Sequence, residues 1–215
     1  MLATEVTLGF STNPAEDTAR AGALASQALF ANPDSARAHD AKASSLLAEM
    51  RWDAAIAEEE AAIALNPNDP YAHFKAGAAK VYIGRAAEGL SGVETALRLS
   101  PHDPFHWVWE YNACALHAYL AQWDQAIEWC RKSITSLPKY FTYATLAAAY
   151  AWVGHDADAR AAVADLLKLK PGYTVQQFAD RANSMSDNPT YLRELQPIIE
   201  GLRKAGLPEG DKKTE

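Results

Sequence analysis

Apolar and polar positions along this chain seldom alternate strictly, β-branched residues are sparse, and Ala dominates the apolar half of the composition. That pattern argues against half-buried strands and predicts helices with one apolar face. Five related phrases, each closing on a proline, carry it: ALASQALFANP, AIAEEEAAIALNP, GLSGVETALRLSP, AIEWCRKSITSLP and ARAAVADLLKLKP. Pro33, Pro67 and Pro101 stand 34 residues apart, Pro138 follows 37 residues on, and Pro171 another 33. A period of this length marks a repeat architecture. Each unit reads as two apolar-faced helices and a short turn. Gly84 and Gly154 mark the turns, where left-handed backbone is easily adopted. Arg51-Trp52-Asp53, Gln122-Trp123-Asp124 and His155-Asp156 open the second helices, and the proline stops them. One helix pair cannot bury its whole apolar face, so neighbouring units stack and share a core.

The units fall at residues 34–67, 68–101, 102–138 and 139–171, the third with a three-residue insertion near His102-Asp103-Pro104. Residues 1–13 form an N-terminal arm. Residues 14–33 read as a lone second helix, capped by Asn13, with Pro14 in its first turn and Glu16 completing a capping box. Its partner helix is missing, so the chain is either a piece of a longer protein or closes irregularly at this end. Residues 172–207 predict two capping helices, one from Thr174 through Ser184 and one from Asn188-Pro189 to Gly206, kinked or split at Pro197. Residues 208–215 (PEGDKKTE) read as a disordered tail.

Small residues sit at matching places: Ala43, Gly77, Cys114 and Ala147 in the first helices, and Ala55, Gly89, Ala126 and Ala159 in the second. Ala62 and Ala96 fit the next small position. With the 34-residue period, these residues resemble the tetratricopeptide-repeat (TPR) family over roughly residues 14–171. The resemblance implies an all-α, right-handed superhelical solenoid of helix-turn-helix repeats with a C-terminal helical cap. It further implies a non-catalytic scaffold whose first helices line a concave face where a partner peptide or helix lies. The helical period places Tyr71, Phe74, Ala78 and Tyr82 on that face in the second repeat, Val108, Tyr111, Ala115 and Tyr119 in the third, and Phe141, Ala144, Ala148 and Trp152 in the fourth. The first repeat offers Arg37, Asp40, Ser44 and Leu47 instead. The candidate groove is therefore Tyr71, Phe74, Tyr82, Val108, Tyr111, Asn112, Tyr119, Phe141 and Trp152, apolar over three repeats and charged at its N-terminal end. Aromatic rings with polar tips suit partner anchoring. The competing reading is that neighbouring repeats or the cap cover some of them. Repeats that clamp a terminal carboxylate use Lys, Arg and Asn on these faces. Here Asp40, Ser44, Phe74, Ala78, Val108 and Asn112 occupy the places, and Asn112 alone is compatible.

Two phrases, LSPHDPFHWVWE and NPTYLRELQPIIEGLRKAGLPEG, narrow the resemblance to the repeat region that follows the catalytic domain in bacterial class III adenylate cyclases and related regulators. That implies an alternative role as the regulatory or oligomerisation module of a larger signalling protein. Nothing here resembles the cyclase's metal-binding carboxylates or nucleotide pocket.

Charge and chemistry add exclusions. The net charge is −7, from 20 Lys+Arg against 27 Asp+Glu, with no basic run longer than Arg203-Lys204 or Lys212-Lys213. Nucleic acid is not expected as a partner. No apolar stretch approaches the ~18 residues of a spanning helix, so membrane insertion is not expected. No cationic segment followed by an apolar run opens the chain, which makes the cytoplasm the default compartment. Cys114 and Cys130 form no CxxC pair; they are expected as buried, neighbouring, reduced thiols. His102 and His106 are separated by a loop and a proline, Ser44, Ser45 and Ser184 lack a catalytic context, and Glu58-Glu59-Glu60 reads as a solvated helix face. GxxxxGK[ST] and GxGxxG are missing. No catalytic residue, metal or cofactor is therefore expected. The expected partner is a protein or peptide, with homo-oligomerisation through the N-terminal helix or the groove as a further possibility. Lys42 and Glu59 occupy positions that are usually apolar and reach similar heights on facing helices; they are expected either to pair or to extend separately to water.

Overall fold

The computed structural model describes residues 13–210, which form eleven α-helices, one 3-10 turn and no strand. In chain order the helices are α1 Pro14–Ala31, α2 Ala36–Ala48, α3 Trp52–Leu65, α4 Pro70–Lys80, α5 Ala86–Leu99, α6 His106–Tyr119, α7 Trp123–Ser136, α8 Tyr140–Trp152, α9 Asp156–Leu169, α10 Val175–Asn183 and α11 Pro189–Lys204; the 3-10 turn Val81–Ile83 extends α4. From α1 to α9 each helix packs on the next, so the chain is a solenoid of four helix pairs preceded by one unpaired helix.

Local chemistry sets the boundaries. Ser35 Oγ accepts the Ala38 amide, and Asp69 Oδ1 accepts the amides of Tyr71 and Ala72 with Pro70 in the first turn. Asn32, Asn66, Ser100, Leu137 and Lys170 end the second helices in extended or near-extended backbone. Each precedes a proline, whose ring disfavours helical backbone in the residue before it. The turns between paired helices are equivalent in all four repeats: Met50 (φ 56°), Gly84 (φ 72°), Ala121 (φ 53°) and Gly154 (φ 79°) all adopt left-handed backbone. Two of these are the predicted glycines; the other two carry a side chain into a conformation that disfavours it.

Small residues allow the helices to approach. A Cβ built on Gly77 would lie 2.6 Å from the Gly89 carbonyl oxygen. A continuous core runs from Val81 to Leu207, with Trp109, Leu116, Leu166, Tyr191, Leu195 and Leu202 among its largest side chains. The buried apolar residues of the first repeat are smaller, chiefly Ala38, Ala43, Ala55 and Ala62 with Leu46 and Ile56.

Three expectations need correction. Cys114 and Cys130 are not free thiols: they are joined by a disulfide, both fully buried, with their Cα atoms 5.0 Å apart. The expectation of reduced thiols came from an assumed compartment, whereas close packing of α6 on α7 sets the pairing distance. Glu59 is fully buried, but its cationic neighbour is Lys75 of the next repeat, at 3.2 Å; Lys42 donates to Ser26 Oγ on α1 instead. A second helix lies between its own first helix and the next repeat's, and Glu59 faces the latter. The tail, expected from residue 208, is ordered through Gly210. The carbonyls of Pro208 and Glu209 accept the amides of Val175 and Gln176. Residues 1–12 and 211–215 lie outside the described part, and most of the N-terminal arm with them.

Candidate functional site: the concave face

The first helices α2, α4, α6 and α8 carry the predicted groove, and the chain's own C-terminus lies across it. α11 packs against α8, α6 and the 3-10 turn that ends α4. It starts with Asn188, whose Oδ1 caps the amides of Thr190 and Tyr191 while its Nδ2 donates to the Ile83 carbonyl. At its middle it runs so close to α8 that a Cβ on Gly201 would lie 2.9 Å from the Cα, Cβ and carbonyl oxygen of Ala148. The loop before it is anchored on the first two repeats. Trp52 Nε1 donates to the Met185 carbonyl, and Ser186 Oγ to the Tyr82 carbonyl.

This arrangement sorts the candidate residues into two groups. Tyr82 stacks on Trp52 (4.2 Å between centroids) and tilts against Tyr191 (5.6 Å); Tyr119 stacks on Tyr191 (5.4 Å). Trp152 donates Nε1 to the Pro197 carbonyl, stacks on Trp123, and carries the Lys204 ammonium 3.4 Å above its ring. These three face α11 or the loop before it. Burial pushes the Tyr82 phenol up to about 12, with Tyr191 adding to the shift, and raises Tyr119 well above the ordinary value. The remaining six are Tyr71, Phe74, Val108, Tyr111, Asn112 and Phe141. Tyr111 and Phe141 pack together at 4.5 Å, and burial holds the Tyr111 phenol above its ordinary range. Asn112 donates to the Val108 carbonyl within α6, and Val108 packs on the core. Tyr71 is 39% exposed; its hydroxyl donates to Asp103, and its ring meets Trp109 edge-on. Phe74 packs on the other side of that neighbourhood, 5.8 Å from the same Trp109 ring.

The first helices of repeats one and two bring charged groups together. Lys75 donates to Asp40 and to Ser44 Oγ and lies 3.2 Å from Glu59. Burial pushes the Glu59 carboxyl up to about 8 in spite of Lys75, and Asp40 adds to the rise. Glu59 and Asp40 in turn hold the Lys75 ammonium in its charged form, outweighing its own burial. His39 and His73 each bond to the carbonyl of the proline six residues earlier, and His117 bonds to Gln122, all structural roles. A shallow cavity of about 620 Å³ lies between the first interhelical turn and the α10–α11 loop, lined by Met50, Arg51, Tyr82, Ser186 and Asn188 among others.

Sequence reasoning missed Trp52, Tyr191, Gly201 and Lys75. The first three matter because the C-terminus returns across the repeats, and no repeat pattern encodes that return. Lys75 had a usable signal, since it lies one position after a predicted groove residue and faces the preceding repeat.

No protein-family profile and no curated protein matches the sequence. Solved structures do. PilW, described as a widely conserved type IV pilus biogenesis factor, superposes with a TM-score of 0.69 at 20% identity, covering 94% of this chain and 94% of that one. PilF of Pseudomonas aeruginosa gives 0.67 at 20% identity over 95% and 94% of the two chains. YrrB, described as a TPR protein with an unusual peptide-binding site, gives 0.61 at 18% identity over 82% and 91%.

The chain has the TPR fold.

Identity at this level carries the fold alone. Within it, the TPR first helices of repeats three and four are covered by α11, and those of repeats one and two are more open. Among the described residues no helix is long and apolar enough to cross a membrane.

Proposed function

We propose that this chain is a non-catalytic protein–protein interaction scaffold that binds a peptide or helix of another protein along its concave face. The observation that supports this reading best is the seat of α11. The face already holds a helix, through apolar packing, a Trp152 hydrogen bond to a backbone carbonyl and a cation on the Trp152 ring. Those are the interaction types that anchor helices in grooves. The half-open part beside it presents Tyr71 and Phe74 backed by Trp109, next to the Asp40–Lys75 pair. The peptide-binding site named for YrrB agrees with this use of the fold. The test is capture from extract of the native host, followed by calorimetry of the purified pair. Tyr71→Ala with Phe74→Ala is expected to keep the helicity and weaken binding by about 2 kcal/mol or more. Equal affinity of variant and parent would remove this face from the reading.

A second reading, the regulatory or oligomerisation module of a cyclase-like signalling protein, draws on α1. Leu24 and Phe30 on this unpaired helix are 51% and 93% exposed. The equivalents of Phe30 in later repeats are Ala64, Arg98, Thr135 and Lys168, so an aromatic residue there is particular to this end. Sedimentation of the parent and of Phe30→Ser tests it; a monomer in both cases excludes self-association through α1.

A further inference from the structure

α11 occupies the concave face without belonging to the repeat pattern. It buries Tyr191, Leu195, Ile198, Ile199 and Leu202, spaced as one apolar stripe of a helix. Its partners are first helices of successive repeats, the surface on which an external ligand would lie.

Two features set the C-terminal segment apart from the solenoid. It is fastened to itself: Val175 and Gln176 donate amides to Pro208 and Glu209, Arg203 bonds to Glu209 through Nε and Nη2, and the Tyr191 hydroxyl donates to the Ala182 carbonyl. It leaves α9 through Pro171 and Gly172, both exposed; Gly172 has φ +74°, and a Cβ added there would meet nothing within 4 Å. Its fit is also imperfect. Pro197 lies inside the helix and cannot donate to the carbonyl one turn before. Glu194 Oε2 is buried without a hydrogen-bond partner among the described residues. The helices α2 to α9, by contrast, pack on one another in sequence.

We infer that the concave face over repeats three and four is a helix-binding site occupied in cis by α11, and that it accepts from another protein an amphipathic helix of the same pattern. That pattern is an aromatic residue near the start to stack on Tyr119, an aliphatic stripe, a small residue where the helix crosses Ala148, and a cation near the end to sit over Trp152. The inference rests on the scaffold reading above and adds that α11 swings out about residues 171–172 before such a partner binds. The apparent affinity for an external helix is then reduced by the small fraction of chains that are open.

The test uses the full chain and a fluorescein-labelled synthetic peptide of residues 187–207, read by fluorescence anisotropy. Gly201→Leu forces atoms into the Ala148 backbone and should release α11 while leaving every repeat residue unchanged. Hydrogen exchange of α11 reports the release. The released variant is expected to bind the peptide at least tenfold more tightly than the parent chain does, and a peptide carrying the same Gly201→Leu change should fail to bind it. Should Gly201→Leu not fold, Asn188→Ala with Tyr191→Ala loosens the start of α11 and takes the same readouts. Three results overturn the inference: release of α11 without peptide binding, equal binding by parent and variant, or an α11 that stays protected in both variants while the solenoid is folded. The Tyr71 and Phe74 variant of the previous section reports on the scaffold reading separately, since neither residue is altered here.

Discussion

The two ends of the concave face solve the same packing problem with different materials. Over repeats three and four the first helices carry Tyr119, Phe141 and Trp152, and α11 lies across α6 and α8. Over repeats one and two the packing residues are mostly alanines, and Glu59 stands where Val93 and Cys130 stand in the second and third repeats. Lys75 and Asp40 then close around it. The difference teaches that stacking geometry, set by small residues at helix crossings, tolerates either filling. What changes is the filling: apolar side chains under α11 at one end, a buried carboxyl with charged neighbours at the other.

The largest effect is expected from the covering helix. Leu202 is fully buried on α11. Leu202→Ala should cost about 3 kcal/mol by lost transfer energy plus the cavity left behind. The loss should fall on the C-terminal end. In hydrogen exchange the amides of α8 and α11 should weaken while those of α2 and α3 hold. Equal weakening everywhere would mean that both ends unfold as one unit.

Next comes the disulfide, which ties α6 to α7 with a sequence separation of 16. A loop of about that length stabilises by about 3 kcal/mol in the chain-entropy account. Urea melts with and without reductant should separate by that amount. Maleimide labelling of the unfolded chain should find no thiol before reduction and two after. Two thiols in unreduced protein would restore the expectation of free cysteines.

Much of this was legible in the residues. The prolines, the small positions and the glycine turns gave the period and the pairing of helices, because each depends on local geometry repeated along the chain. The return of α11 was not legible. Residues 172–207 showed two helices, but their docking surface depends on long-range contacts such as Trp52 to Met185 and Asn188 to Ile83, which leave no periodic trace. Glu59 was recognised as a misfit at a core position, yet its partner was assigned to the wrong neighbour, because a second helix touches two first helices and spacing alone does not choose between them.

Glu59 supplies the third prediction and bears on the N-terminal end alone. Its folded value of about 8 lies above the ordinary 4.5, with burial as the main cause. Between those values the folded state holds a proton that the unfolded state has lost. The stabilisation is complete below the unfolded value and disappears as pH rises through the folded one. Relative to Glu59→Gln, the parent chain should therefore lose stability from pH 5 to pH 8. Urea melts of both proteins at three pH values decide it. Parallel curves would show that the carboxylate ionises freely and that Lys75 fully offsets its burial.

The smallest effect concerns the turns, where the two ends differ least. Met50 and Ala121 adopt the left-handed backbone that Gly84 and Gly154 adopt in the other repeats. A Cβ in that region meets the following carbonyl oxygen at a cost of about 1–2 kcal/mol. Ala121 is exposed, so Ala121→Gly removes this strain without opening a cavity. The gain is partly offset by about 0.4–1 kcal/mol, because glycine loosens the unfolded chain. A net stabilisation of about 0.5 kcal/mol is expected, visible as a small upward shift in the urea midpoint with an unchanged slope. The reverse changes separate strain from contact. Gly154 has nothing within 4 Å of an added Cβ, so Gly154→Ala reports strain alone. At Gly84 the same Cβ would lie 2.6 Å from Thr190 and 2.7 Å from Asn188 at the start of α11. Gly84→Ala should thus cost more than Gly154→Ala, and the excess should vanish once Gly201→Leu has released α11. If the excess persists in the released chain, the extra cost lies in the turn itself and the contact with α11 contributes nothing there.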